Sequence, residues 1–299
     1  MAGTEATAAL HTQHYGRLFG LAYRMLGSVA EAEDVVQDTF VRWSEADRGD
    51  VGQPGAWLTT TATRLCLDRL KSAQRQREIY VGPWLPEPLV TDGVDPADLA
   101  GTADSLTFAF LVVLEALSPL ERAVFVLHDV FGYPHDDIAA MLGRTPAAVR
   151  QVASRARRHL EQREQRFDTD RAQQRAVAEA FLAACAGQDL DAMLELLAPD
   201  VTFTGDGGGV VSATRHPVHG AERVARLLGG LWQIAEARDY TVEFLEVNAE
   251  PGLAAYLDGT LETVMVFEVQ GSRIAAVRGV RNPAKLEAFR RARPGPPAG

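Results

Sequence analysis

Cysteine is nearly absent: Cys66 and Cys185 are the two in 299 residues. A set that small excludes a disulfide framework, and each lies among apolar residues at helical spacing. Both are expected to be buried thiols in a reducing compartment. No apolar run approaches the roughly eighteen residues a membrane-spanning helix needs. The amino-terminal stretch MAGTEATAALHTQHYG has neither the basic flank nor the apolar core of a secretion signal, so the chain is expected to be cytoplasmic. Motifs of bond chemistry are missing too. No HExxH, nucleophile elbow or phosphate-cradling glycine loop occurs, and no metal or cofactor is expected. Basic charge is in deficit, with 30 Lys and Arg against 40 Asp and Glu and a formal net charge of −10. A hydrophobic content of 46% and a charged content of 23% are ordinary for folded protein, and the length suits roughly two domains.

The scarce basic charge is concentrated. From Arg64 to Arg77 five basic residues face Asp68 alone, and from Arg144 to Arg166 seven face Glu161 and Glu164. The second patch lies within SPLERAVFVLHDVFGYPHDDIAAMLGRTPAAVRQVASRARRHL, Ser118 to Leu160. Ile138, Ala139 and Leu142 give a first helix one apolar face. Gly143 then closes it, because glycine takes the left-handed conformation at low cost. Thr145 offers a cap oxygen and Pro146 suits the first helical position. Val149, Val152 and Ala156 form the inner face of the next helix. Arg150, Gln151, Ser154, Arg155, Arg157 and Arg158 remain outside. Ala139, Gly143 and Val149 fall at the offsets of a helix-turn-helix, so DNA binding is expected. An αα-hairpin with a solvated arginine face is the alternative. An acidic chain with two basic patches binds free duplex poorly. Either a partner holds it on DNA or something covers the patches.

The spacing of apolar residues divides the rest. Tyr15 to Leu26, Ala30 to Trp43, and Ala56 past Leu70 read as helices, with Gly27 and Ser28 separating the first two. Four prolines between Val81 and Gly101 mark a linker. It carries Trp84, Leu85 and Leu89, which a purely flexible tether would not, so it is expected to dock on a surface, with a partly exposed loop carrying incidental aromatics as the alternative. Helices follow from Phe108 to Leu117 and from Arg122 to His128. Beyond Asp170 the pattern changes. Val177 to Ala198 reads as two short helices, Glu222 to Ala237 as another, and VTFTG, YTVEFLEVN, LAAYLDG, ETVMVFEVQ and IAAVRGV as strands. Boundaries are expected at 10–78, 79–103, 104–167 and 170–292, with a disordered tail at 293–299.

Two helical modules joined by a linker, the second ending in a helix-turn-helix, resemble the conserved regions of bacterial extracytoplasmic-function sigma factors. AEAEDVVQDTFVRWSE resembles the helix that docks on the clamp coiled coil of the largest RNA polymerase subunit. The resemblance assigns that docking to Glu33, Asp34, Gln37 and Asp38. AWLTTTATRLCLDRLKSAQRQRE resembles the helix that meets the melted −10 element, and implies phosphate contacts for Arg64, Arg69, Lys71 and Arg75. The helix after Thr145 would read the −35 element, with Thr145, Arg150, Gln151, Ser154, Arg155 and Arg158 at DNA. RNA polymerase core, through its clamp and flap, and promoter DNA are the implied partners.

The carboxy-terminal segment resembles the SnoaL-like fold of nuclear transport factor 2. Its marks are WLPEPL in the linker, DGGG and NPAKL. In sigma factors with this extension it is implied to modulate activity in place of a separate anti-sigma protein. Trp84, Leu85, Pro86, Asp206, Gly207, Gly208, Gly209, Asn282, Pro283 and Lys285 would form the regulatory contact. Asp206 would accept N–H groups and Trp84 would be the apolar anchor. A plain hairpin turn at Asp206–Gly209 and a simple helix cap at Asn282 are the alternatives there. The expected fold is multi-domain: two all-α modules, the second with a helix-turn-helix, then an α+β cone of curved antiparallel sheet and helices. The expected activity is promoter selection for RNA polymerase, without catalysis. A cone that senses an unidentified small ligand, or catalyses through Asp206, His216, His219 or Asp258, is the rival reading, and a stand-alone DNA-binding repressor is another.

Overall fold

The computed structural model describes residues 2–46, 52–93, 103–161 and 170–295, without the side chains of 2–6, 73–78, 103, 104 and 161. They form two compact units. The first comprises Met1–Glu78, Val94–Leu106 and Phe110–Glu164, and the second Ile79–Gly93, Thr107–Ala109 and Gln165–Gly299.

The first unit is helical. α1 (Ala2–Leu26), α2 (Val29–Glu45) and α3 (Pro54–Glu78) form one module. The first stop comes from Gly27, and the Ser28 side chain accepts the Glu31 N–H to open α2. Leu18, Ala22, Met25, Val35, Val36, Leu58, Ala62 and Cys66 are buried there. α4 (Phe108–Leu114), whose first two residues belong to the second unit, ends earlier than the periodicity predicts. Tighter i→i+3 bonds from the N–H groups of Glu115, Ala116 and Leu117 close it, because Ser118 precedes proline and takes an extended conformation. α5 (Pro119–Phe125) starts with a reciprocal Ser118–Glu121 capping box, then widens into a π-turn over Val126–Val130. The expected helix through His128 is thus replaced at its end.

α6 (His135–Leu142) and α7 (Pro146–Glu161) form the helix-turn-helix. Gly143 sits at φ 63°, and the Ala148 N–H donates to Thr145 Oγ1 at 3.2 Å. Ile138, Ala139, Val149, Val152 and Ala156 are buried as expected, with Met141 rather than Leu142 completing the seam.

The second unit is a six-stranded sheet with α-helices packed against it. α8 (Arg171–Ala186) and α9 (Leu190–Leu196) precede β1 (Leu197–Asp206). β2 (Val218–His219) and α10 (Ala221–Ala237) lead into β3 (Thr241–Val247), β4 (Glu250–Leu257), β5 (Thr260–Gln270) and β6 (Arg273–Val280), and α11 (Glu287–Ala292) closes the chain. The strand order is β2-β1-β6-β5-β4-β3. β3 to β6 form an antiparallel meander, but β1 runs parallel to β6, with Phe203 opposite Val277. The sheet is therefore mixed, not wholly antiparallel. The expected helix through Ala198 is also corrected. Leu197 leaves it to pair with Ile274, since LELLAPD is apolar at both helical and strand spacing.

Phe181, Val201, Phe203, Leu253, Phe267 and Val277 belong to an apolar core between the sheet and α8, α9 and α10. Burial raises both thiols, Cys185 to about 12. Among the described residues, no helix is long and apolar enough to cross a membrane.

Candidate nucleic-acid interface and linker site

α7 turns its arginines outward because its small and branched residues face α5 and α6. Arg150, Gln151, Ser154, Arg155 and Arg158 share this exposed side with Thr145, which also caps the helix. Two of the arginines are braced from behind. Arg155 lies 3.6 Å from Glu121 of α5, and Arg157 donates to Asp129 at 2.7 and 2.9 Å. Burial alone would raise the Glu121 carboxyl, but the Ser118 hydrogen bonds and the neighbouring His159 and Arg155 hold it below its ordinary range.

The expected polymerase and DNA residues of the first module are not separate. Glu33, Asp34, Gln37 and Asp38 lie on α2, and Arg69 of α3 reaches across to Asp34 and Asp38. Its guanidinium donates to Asp38 at 2.8 Å and to the Glu31 carbonyl at 2.9 Å, and lies 3.6 Å from Asp34. Arg64 Nε donates to the Met141 carbonyl at 3.1 Å, at the carboxy-terminal end of α6. Lys71 remains at the surface, 3.3 Å from Asp68. The side chain of Arg75 lies outside the described residues.

The two helical modules pack on each other within this unit. Arg122 is 2% exposed, with Nε donating to the Arg24 carbonyl at 3.1 Å and Nη1 to Glu115 at 2.5 Å. Arg24, also buried, donates to Ser105 at 2.9 Å and stacks over Phe131. Burial lowers Arg122 to about 9 and Arg24 to about 10. Neither arginine had a mark in the sequence beyond its helical position.

In the second unit, linker residues 79–93 lie along the cone. Asp206 ends β1 fully buried, and its carboxylate accepts four hydrogen bonds: Tyr80 Oη at 2.6 Å, Leu85 N at 2.9 Å, Gly208 N at 3.0 Å and Lys285 Nζ at 2.7 Å. That number saturates a carboxylate. Lys285 Nζ also donates to the Leu85 carbonyl at 2.5 Å and sits 4.8 and 4.1 Å from the ring centroids of Tyr80 and Trp84. Asn282 donates to Tyr80 Oη at 2.8 Å. Its own oxygen accepts the Ala284 N–H, so it closes a turn there, while Leu286 occupies the cap position of α11. Burial, then the Asp206 bond, raises the Tyr80 hydroxyl far above its ordinary range.

Glycines suit the remaining geometry. Gly208 has φ 63°, and a Cβ there would collide with the Asn282 amide. The Asp206–Gly209 turn is closed by the Asp206 side chain and leads into a loop, so it is not a hairpin. The buried apolar anchor is Leu85, at 2% exposure, with Pro86 beside it. Trp84 is half-buried and covers the Lys285 amine instead, because the backbone of Leu85 is the part gripped by both Asp206 and Lys285. Further along, Val90 bridges Val247, Thr91 N donates to the Glu246 carbonyl, and Leu89 N donates to Asn248 at 2.8 Å. Tyr80, Thr91 and Asn248 are participants that sequence reasoning missed. Pro83-Trp84 gave the segment a mark, but no spacing rule reaches from Tyr80 to Asp206.

The other candidates are dispersed. His216, His219 and Asp258 are exposed, Asp258 in the two-residue turn between β4 and β5. Pro283 is half-exposed at the edge of the Asn282 turn. The expected disordered tail is ordered at Arg293, which pairs with Glu243 and lies 3.9 Å from Asp92, while 296–299 lie outside the described residues. Among the described residues, no group of three or more His, Cys, Asp or Glu is placed to hold a metal ion.

This arrangement agrees with what the chain matches. Sigma-70 region 2 matches residues 10–76, Sigma-70 region 4 matches 107–160, and a SnoaL-like domain matches 178–284. The class is therefore a sigma-70-type factor with a fused SnoaL-like domain. ECF RNA polymerase sigma factor SigJ of Mycobacterium tuberculosis is 39% identical over 282 residues, covering 90% of this chain and 89% of the relative. Probable ECF RNA polymerase sigma factor SigI of the same species is 34% identical over 294 residues, covering 97% and 98%. The crystal structure of M. tuberculosis SigJ aligns with a TM-score of 0.75 at 36% identity, covering 93% of this chain and 98% of that one. The chain belongs to the ECF RNA polymerase sigma factors.

Proposed function

We propose that this sigma factor brings RNA polymerase core to promoters by docking α2 on the clamp, meeting the melted −10 element with α3 and reading the −35 element with α7. The core enzyme carries the bond chemistry. The exposed α7 face supports the −35 role, since its polar residues stand on one side of a helix whose other side is buried. The SnoaL-like domain modulates activity in cis by gripping the linker between the two sigma regions, without a separate anti-sigma protein. The observation that carries this reading is the Asp206 carboxylate, which binds the linker at Tyr80 and Leu85. A catalytic role has less support: the core side chains between sheet and helices are apolar, and the candidate bases are exposed or engaged by the linker.

Run-off transcription with core polymerase on a promoter panel tests both parts, comparing the full chain with one ending at residue 167. Promoter-specific transcripts from either chain support the sigma roles, and different yields from the two support modulation. Absence of transcription from every promoter with both chains overturns the first part. Identical activity of both overturns the second.

A further inference from the structure

The cluster of α2 carboxylates and α3 arginine assigns one residue a role its sequence position hides. Asp34 and Asp38 are four residues apart on α2, a spacing at which like charges repel. Arg69 enters between them from α3. One nitrogen bonds Asp38 at 2.8 Å while the other bonds the Glu31 carbonyl at 2.9 Å and stands 3.6 Å from Asp34. The Arg69 side chain is 25% exposed, whereas the two carboxylates remain 66% and 50% exposed. The guanidinium is thus turned inward on α2 and the carboxylates outward. A planar fork held at two acceptors on a neighbouring helix has a fixed direction, unlike the flexible amine of Lys71 at the surface of the same helix.

We propose that Arg69 is a positioning residue of the α2 docking face and not a phosphate contact. It screens Asp34 from Asp38 and fixes both toward a basic partner helix. The inference rests on the reading of α2 as the polymerase-docking face.

The test uses the full chain and measures two quantities: affinity for core polymerase by titration, and the plateau of open promoter complexes at saturating factor. Arg69→Ala is expected to weaken core binding about tenfold, which corresponds to about 1.4 kcal/mol, and to leave the plateau unchanged. Arg69→Lys, which keeps the charge and the fold but loses the fork, should fall between. Adding Arg69→Ala to the pair Asp34→Asn and Asp38→Asn should weaken binding no further than that pair alone, because Arg69 acts only through those two carboxylates. Normal core affinity with a lowered plateau makes Arg69 a DNA contact and overturns the proposal, as does a further loss in the triple variant. If Arg69→Ala fails to fold, Arg69→Lys decides by the same two readouts. Wild-type protein that does not bind core overturns the docking-face reading and the proposal together. Wild-type binding with unaffected Arg69 variants overturns the proposal alone.

Discussion

Arg122 in the first unit and Lys285 in the second are both buried cations, and they are held by different parts of the chain. Arg122 is gripped by helices: the Arg24 carbonyl of α1 and Glu115 just past α4. Lys285 is gripped by Asp206 of the sheet, but also by the Leu85 carbonyl and the rings of Tyr80 and Trp84, all on the linker. A guanidinium bonds several fixed acceptors at once and joins elements that are permanent parts of the fold. An ammonium is a point charge that can exchange one set of acceptors for another, including water. The first arrangement suits a staple, and the second a contact that releases the linker while the cone stays folded.

Four experiments bear on that contrast, in order of expected size. The largest concerns the remaining buried charges of the second unit. Glu250 accepts the Phe108 N–H at 2.6 Å, and burial raises its carboxyl to about 8 despite the nearby Arg278. Arg278 itself pairs with Glu268 at 2.6 Å. Because the folded pKa exceeds the ordinary 4.5, the stabilisation is complete below that pH and is lost as pH rises toward 8. A loss on the order of 4 kcal/mol across that window is expected in urea unfolding, and Glu250→Gln should flatten it. A pH-independent wild type would show that this carboxyl is not buried in the folded state.

Next, Arg122→Met should cost about 3 kcal/mol by the same measurement, since it removes a buried guanidinium that bonds Glu115 and the Arg24 carbonyl. Lys285→Met should cost about 2 kcal/mol and speed amide exchange at Leu85 at least tenfold, with protection in α1 and α5 unchanged. If Lys285→Met instead loosens α1 as much as Arg122→Met does, the staple and the releasable contact are one and the contrast fails. Tyr80→Phe removes the hydroxyl bonds to Asp206 and Asn282 and should cost about 1 kcal/mol, read as faster exchange in the linker alone.

The helix-turn-helix was legible because its signals are local. Gly143, Thr145 and Pro146 each shape the chain within a few residues, and the structure places them at the positions their chemistry predicts. The strand segments of the meander were legible for the same reason, since apolar spacing is local too. What could not be read are relations between distant segments of the chain. The parallel pairing of β1 with β6 leaves no periodic trace, because both strands show the same apolar spacing either way. Arg69 and Arg64 looked alike as members of a basic run, and only the position of α2 and α6 separates their partners. The Asp206 site was visible as three short motifs. Its central atoms were not: Lys285 reaches the backbone of Leu85 across 200 residues, and Tyr80 lies outside all three. Motifs mark where a contact is made, while backbone carbonyls that complete it carry no residue identity at all.

That distance of 200 residues between Leu85 and Lys285 has a temporal side. At roughly 5–20 residues per second, a ribosome needs about 10–40 s to make the second after the first. The sigma modules and the linker are therefore synthesised well before the lysine that fastens the linker down. Every newly made molecule passes through an interval in which both sigma regions exist and the fastening does not.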